Sequence, residues 1–189
     1  TISGYTGGIS FSSDGKRLVT VCDKDQTATV WDMASGQEVL AVKSDTGQML
    51  DAHFTPDGLR LATLNKDGTA RLWEVATGKE LLRLQPGLDI AKLAISPDGQ
   101  VLATTSSALV MLWDLNTGAR LLTLPNPSTV YGLVFSRDGK SLVTASSRIQ
   151  AWDVTPRGRG ELSVVFSPNS QYGFNNSRDG SRFAVVDSG

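Results

Sequence analysis

A five-residue phrase returns along this chain every 40 to 43 residues, and that period decides most of what the chain can fold into. Phe11-Ser-Ser-Asp-Gly15 is followed by Phe54-Thr-Pro-Asp-Gly58, Ile95-Ser-Pro-Asp-Gly99 and Phe135-Ser-Arg-Asp-Gly139, with a weaker copy at Asn176-Ser-Arg-Asp-Gly180. The aspartates at 14, 57, 98, 138 and 179 set steps of 43, 41, 40 and 41 residues. A second marker keeps the same period. Trp31-Asp32, Trp73-Glu74, Trp113-Asp114 and Trp152-Asp153 hold all four tryptophans of the chain. Behind three of them comes a turn, Ala34-Ser-Gly36, Ala76-Thr-Gly78 and Asn116-Thr-Gly118. Two markers in one register define units that cannot bury a core alone and must stack on one another.

Inside each copy the pattern is strands, with no helical period. In the second copy Met49–Phe54 reads as strand a, Leu59–Leu64 as b, Ala70–Val75 as c and Lys79–Leu84 as d. Asp-Gly and Asn/Asp clusters between them supply the positive-φ positions of tight hairpins. Leu133-Val134-Phe135 and Leu102-Ala103 are apolar on both faces, which suits sheets covered on both sides rather than on one. Phe166-Ser-Pro-Asn169 imitates a repeat opening, but it follows Phe135 by only 31 residues. Aligning Tyr131–Gly139 with Tyr172–Gly180 restores a step of 41. Glu161–Phe166 is then the outer strand of the fourth copy and Pro168–Gln171 its exit loop. The expected fold is all-β: four complete four-stranded blades (1–44, 45–86, 87–126, 127–168) and a partial fifth (169–189).

The F-S-x-D-G opening, the Trp-Asp ending and the period near 40 together resemble the WD-repeat β-propeller family, over nearly the whole chain. The resemblance implies four-stranded antiparallel blades around a central channel, about seven per ring, used as a rigid platform for proteins or peptides. The chain departs from the family in two places. The Gly-His usual between blades is replaced by Ser44-Asp-Thr-Gly47, Gln85-Pro-Gly-Leu88 and Asn126-Pro-Ser-Thr129. The Asp six residues before each Trp is present as Asp25 and Asp67, but Ser107 and Ser146 stand there in the next two copies. The family's His–Asp hydrogen-bond network therefore cannot form in its usual version. The missing starting Met points to an excerpt or a processed product, and the stop two strands into a fifth copy points to a segment of a larger ring. The alternative is edges that close against a partner or by edge-to-edge self-association.

Little in the sequence supports chemistry. One His, one Cys and no phosphate-binding glycine pattern leave no nucleophile–base pair, so neither catalysis nor a cofactor is expected. Asp23-Lys-Asp25 opens like a calcium loop, but position twelve is Ala34 where a bidentate Glu is needed. Asp51 and His53 share a strand face and, with Asp89, are too few for a metal. The tryptophans, at a fixed place on strand c, are read as packing between blades. A net charge of −1 argues against nucleic acid, with Arg157-Gly-Arg-Gly160 as the sole basic cluster. No apolar run reaches the roughly 18 residues of a membrane helix, and the opening residues do not form a signal peptide. The single Cys22 rules out an internal disulfide framework and favours a cytoplasmic setting, in which the Asn175-Asn-Ser177 sequon carries no glycan.

The loop rims remain. On the face carrying the d–a and b–c connectors, Tyr131 and Tyr172 lie four residues before the strand-a anchor, and Tyr5 lies earlier in the first copy. Lys24, Lys66 and Arg148 sit in b–c loops. Aromatic and cationic side chains at such places are what binding hot spots favour, although tyrosines ending a strand also pack locally. The functional expectation is a non-catalytic scaffold or sensor for protein or peptide partners. The alternative is a substrate-docking or regulatory propeller of a multidomain hydrolase, kinase or NTPase.

Overall fold

The structure, a computed structural model, describes residues 7–22, 25–45, 47–88, 90–126 and 128–155, together with short strands at 164–165, 174–176 and 183–185. The first sheet holds β1 (Ile9–Phe11), β2 (Arg17–Cys22), β3 (Thr27–Asp32) and β4 (Glu38–Lys43). The second holds β5 (Met49–Phe54), β6 (Arg60–Asn65), β7 (Ala70–Glu74) and β8 (Glu80–Leu84). The third holds β9 (Ile90–Ile95), β10 (Val101–Ser106), β11 (Leu109–Asp114) and β12 (Arg120–Pro125). The fourth holds β13 (Gly132–Phe135), β14 (Ser141–Ala145), β15 (Ile149–Asp153) and β16 (Val164–Val165). Each is an antiparallel meander in chain order, and β17 (Phe174–Asn176) pairs with β18 (Phe183–Val185). Strands β1, β5, β9 and β13 are the inner ones, successive members lying side by side.

The repeated phrase is a turn that satisfies itself. In each of four copies the Ser or Thr hydroxyl donates to the Asp two residues on, at 2.5 to 2.6 Å. The same carboxylate accepts the N–H two residues after it, at 2.9 to 3.0 Å. The glycine that follows takes φ between 68° and 70°, which a side chain would strain. Second-copy strand b begins at Arg60 rather than Leu59, because the Leu59 N–H is held by Asp57 inside this turn. The aspartates after Trp31 and Trp113 cap their c–d turns in the same way, and Glu74 after Trp73 accepts the Thr77 hydroxyl. Asp32 accepts the N–H of Ser35 at 2.8 Å and Asp114 that of Thr117 at 2.8 Å.

Strand b is the most buried element and shows why the blades stack. β2, β6 and β10 share one pattern, buried from their second residue to their last, whereas the outer strands β4 and β8 alternate. Adjacent b residues serve different cores. Leu61 packs with Val19, Val21 and Val30 of the first sheet, while Ala62 packs with Leu93, Leu102 and Met111 of the third. A third cluster joins Ala103, Val110 and Leu112 to Leu142 and Trp152 of the fourth sheet. Every core is therefore an interface between two sheets, as radial stacking requires. Leu133 and Phe135 join that third cluster, but Val134 between them points the other way and is exposed.

The first sheet breaks the pattern on one face. Phe11 is 58% exposed where its counterpart Phe54 is 8%, and Met33 is 46% exposed where Val75 and Leu115 are 5% and 1%. Trp31 is half-buried, whereas Trp73, Trp113 and Trp152 are buried. No preceding sheet covers this face among the described residues.

Candidate binding surface

The d–a connectors and b–c turns occupy one end of the blades and are tied together there by backbone. Lys66 N–H donates to the Gln48 carbonyl, Ser44 N–H to that of Gln26 and Asn126 N–H to that of Ala108, at 2.7 to 2.9 Å. Two polar arrangements hold this end in place of a histidine network. In all four blades the indole N–H donates to a strand-b threonine: Trp31 to Thr20, Trp73 to Thr63, Trp113 to Thr104 and Trp152 to Thr144, at 2.9 to 3.1 Å. In the fourth blade the Thr144 hydroxyl passes the chain on to Asn126 Oδ1 at 3.2 Å. Asn126, from the preceding connector, is buried and takes up an acceptor role there.

In the second blade the central group is Arg71. Its side chain is 1% exposed and reaches Asp45 Oδ1 at 2.5 Å, Asp67 Oδ2 at 3.5 Å and Glu80 Oε2 at 3.6 Å. Arg83 closes the ring from outside by bonding Asp45 and Glu80. Asp45 belongs to the connector from the first blade, so the network pins two blades together. Asp67, at the family's Asp position, serves Thr69 and Arg71 instead of a histidine. The strand-c alternation cannot reveal this arginine, since Thr29, Met111 and Gln150 hold the same place in the other copies.

Three of the six candidate contact residues fall in described parts, and all three lie at this end. Lys66 is exposed in the β6–β7 turn. Arg148 is exposed in the β14–β15 turn, where its N–H donates to Ser146 Oγ and its carbonyl accepts from Ser146 N–H at 2.8 Å. Tyr131 precedes β13 with its backbone N–H fixed on the Ala145 carbonyl at 2.7 Å, and it is 68% exposed rather than packed. Tyr131 and Arg148 share the fourth blade, and Lys66 lies two blades away. Tyr5, Lys24 and Tyr172 lie outside the described residues, as do Asp23, Asp89 and the Arg157 cluster.

On the inner strand β5, His53 Nε2 stands 3.3 Å from Asp51 Oδ1. Burial works against the Asp51 charge, but the His53 contact and the Ala52 N–H carry its pKa below the usual carboxylate value. Among the described residues no three His, Cys, Asp or Glu side chains converge as a metal site would need.

The turn carboxylates give the molecule its pH response. Asp14 and Asp138 are held below the ordinary range by the Ser12 and Ser136 hydroxyls first and by the N–H groups of Lys16 and Lys140 second. Asp32 and Asp114 are lowered mainly by N–H groups of their own turns, and Asp45 mainly by Arg71. A depressed folded pKa means the unfolded chain binds more protons, so stability falls as pH falls. The melting temperature is expected to stay level above pH ~5 and to drop steeply below pH ~4, where free aspartates begin to protonate. Melts between neutral and strongly acid pH check this, and a fall already complete above pH ~5 would show that the turn carboxylates do not set the response.

A family model described as "WD domain, G-beta repeat" matches residues 1–32, 37–74 and 81–114. An uncharacterized WD repeat-containing protein of Synechocystis sp. is 35% identical over 66 residues, a stretch covering 33% of this chain and 19% of that protein. The match therefore spans about a fifth of the relative's length.

Proposed function

The chain belongs to the WD-repeat family, and from that premise we propose that it is a non-catalytic scaffold or sensor that binds protein or peptide partners on its connector face. Repeats of this family generally mediate protein–protein interaction and are typically non-catalytic. The observation that supports the reading most is the pairing of Tyr131 and Arg148 at one end of the fourth blade. Both side chains are exposed while both backbones are pinned by hydrogen bonds. An aromatic and a cation exposed at one end of the same blade on fixed backbone keep the ordering cost of binding low, and such residues dominate interface energetics. Lys66 extends the surface across two blades. The open face of the first sheet, with Phe11 and Met33 uncovered, fits a seat for a further blade of a larger ring.

The test places a photocrosslinking amino acid at position 131 in the full chain and compares its crosslinked partners with those from position 140, on a turn at the other end. Partners are expected at 131 alone. Tyr131→Ala and Arg148→Ala should each weaken partner binding about tenfold or more with the melting temperature unchanged. Undiminished binding by both variants would remove this face from the proposal.

A further inference from the structure

We infer that a second peptide-binding surface lies at the opposite end of the blades, in the groove between the first and second sheets. It takes a neutral aliphatic segment that presents main-chain carbonyls to Arg17. The groove encloses about 430 Å³ and is lined by Arg17, Val39, Leu59 and Leu81, with Asp57 and Glu74 beside them. That volume falls in the range of about 300–1,000 Å³ that ligand sites occupy. Three aliphatic side chains here face solvent: Leu59 is 66% exposed, Val39 53% and Leu81 40%. Exposed apolar groups gathered around a cleft mark a contact surface more often than chance exposure does.

The next interblade junction shows what Arg17 lacks. Arg60 stands three residues after its turn aspartate, as Arg17 does. Its guanidinium donates to the Leu115 carbonyl at 3.2 Å and the Gly99 carbonyl at 3.0 Å, both in the third blade. The matching side chains around it are polar and paired, Asn116 Nδ2 donating to Gln100 Oε1. Arg17 is held differently. Its guanidinium lies over the Phe54 ring at 5.6 Å, in space left by Gly58, where a Cβ would come within 2.7 Å of Nη2. Among the described residues its guanidinium makes no hydrogen bond, and its charge acts on the Asp14 carboxylate of its own turn. Leu59 replaces Gln100, so the polar pair that dresses the second junction is missing from the first.

Arg60 thus supplies a template within the molecule: an arginine of this turn takes two main-chain carbonyls. A peptide strand can offer the same pair to Arg17 and lay an aliphatic side chain against Val39, Leu59 and Leu81. A neutral occupant fits better than an acidic one. Asp57 and Glu74 line the groove with Arg17 and Arg60, two carboxylates against two cations, so the lining is balanced and the local field does not call for another carboxylate. Tyr131 and Arg148 lie at the other end, so this surface and the connector face stand or fall separately.

The experiment follows the methyl resonances of Val39, Leu59 and Leu81 in the full chain as acetyl-Leu-Gly-Leu-amide is added. The expected result is a saturable shift confined to those methyls, with a dissociation constant near or below about 1 mM. Leu59→Glu should abolish it, and Arg17→Gln should weaken it at least about fivefold, since a carbonyl pair needs the guanidinium fork. Arg17→Lys, which keeps the charge and much of the packing on Phe54, should weaken it as well. Tyr131→Ala should leave it unchanged. The inference is overturned by the absence of saturation at about 10 mM peptide, by equal shifts from acetyl-Ser-Gly-Ser-amide, by tighter binding of acetyl-Glu-Gly-Glu-amide, or by full binding in a folded Arg17→Gln chain.

Discussion

Arg71→Ala is expected to cost about 3–5 kcal/mol, the range found when one partner is removed from a buried ion network. The guanidinium is 1% exposed and meets three carboxylates from three places: the connector of the first blade, the b–c turn and the outer strand of its own blade. Its loss removes the guanidinium from between Asp45, Asp67 and Glu80, while Arg83 still bonds Asp45 and Glu80. Arg71→Met restores most of the volume but not the charge, and should recover part of the loss. Asp45→Asn should do much less, because that side chain is 59% exposed and water takes over its solvation. The urea midpoint of the three variants gives this order. An Arg71→Met chain as stable as the parent would mean that burial of the charges cancels their attraction here.

The second large effect is at the tryptophans, and it is unequal. Trp73→Ala should cost about 3–5 kcal/mol, the usual loss for an aromatic truncated in a packed core. Its ring belongs to the cluster shared by the first two sheets, and its N–H is spent on Thr63 at 3.0 Å. Trp31→Ala should cost less than half as much. It makes the same bond, to Thr20, but its ring is half-buried beside the uncovered Phe11 and Met33. Trp73→Phe separates the terms, since it keeps most of the apolar contact and leaves out the indole bond, worth roughly 1 kcal/mol. Denaturant melts decide the comparison. Equal losses at Trp31 and Trp73 would show that something covers the first sheet in solution.

The repeat made the fold readable because each marker does local work. The Ser/Thr-x-Asp-Gly phrase closes its own turn within six residues, so it reads the same in every copy. The strand-c tryptophans are equally local, each bonding a threonine 8 to 11 residues before it. Met49–Phe54 was legible to the residue, and β16 lies inside the expected Glu161–Phe166 strand. Arg71 was not legible, for the opposite reason. Its partner Asp45 comes from another blade, and no other copy has arginine at that position. Nor was the Arg17 groove, which depends on Leu59 standing where the third copy has Gln100 and the first and fourth have lysine. Tyr131 was half legible: its place on the rim followed from the period, but its exposure depends on what the neighbouring connector leaves uncovered.

Adjacent residues on strand b face different cores, as Leu61 and Ala62 do. The packing unit is consequently half of one copy joined to half of the next, while the unit that a gene can duplicate is a whole copy. Tandem duplication then creates a junction between two faces that never met before, one from the end of the ancestral repeat and one from its beginning. Identical copies satisfy such a junction automatically, because every face already fits its own counterpart. Once copies diverge, a size change on one strand b has to be answered across the junction and not within the same repeat. Lengthening or shortening an array of this kind is therefore easiest just after duplication, and each later compensation fixes the order of the blades more firmly.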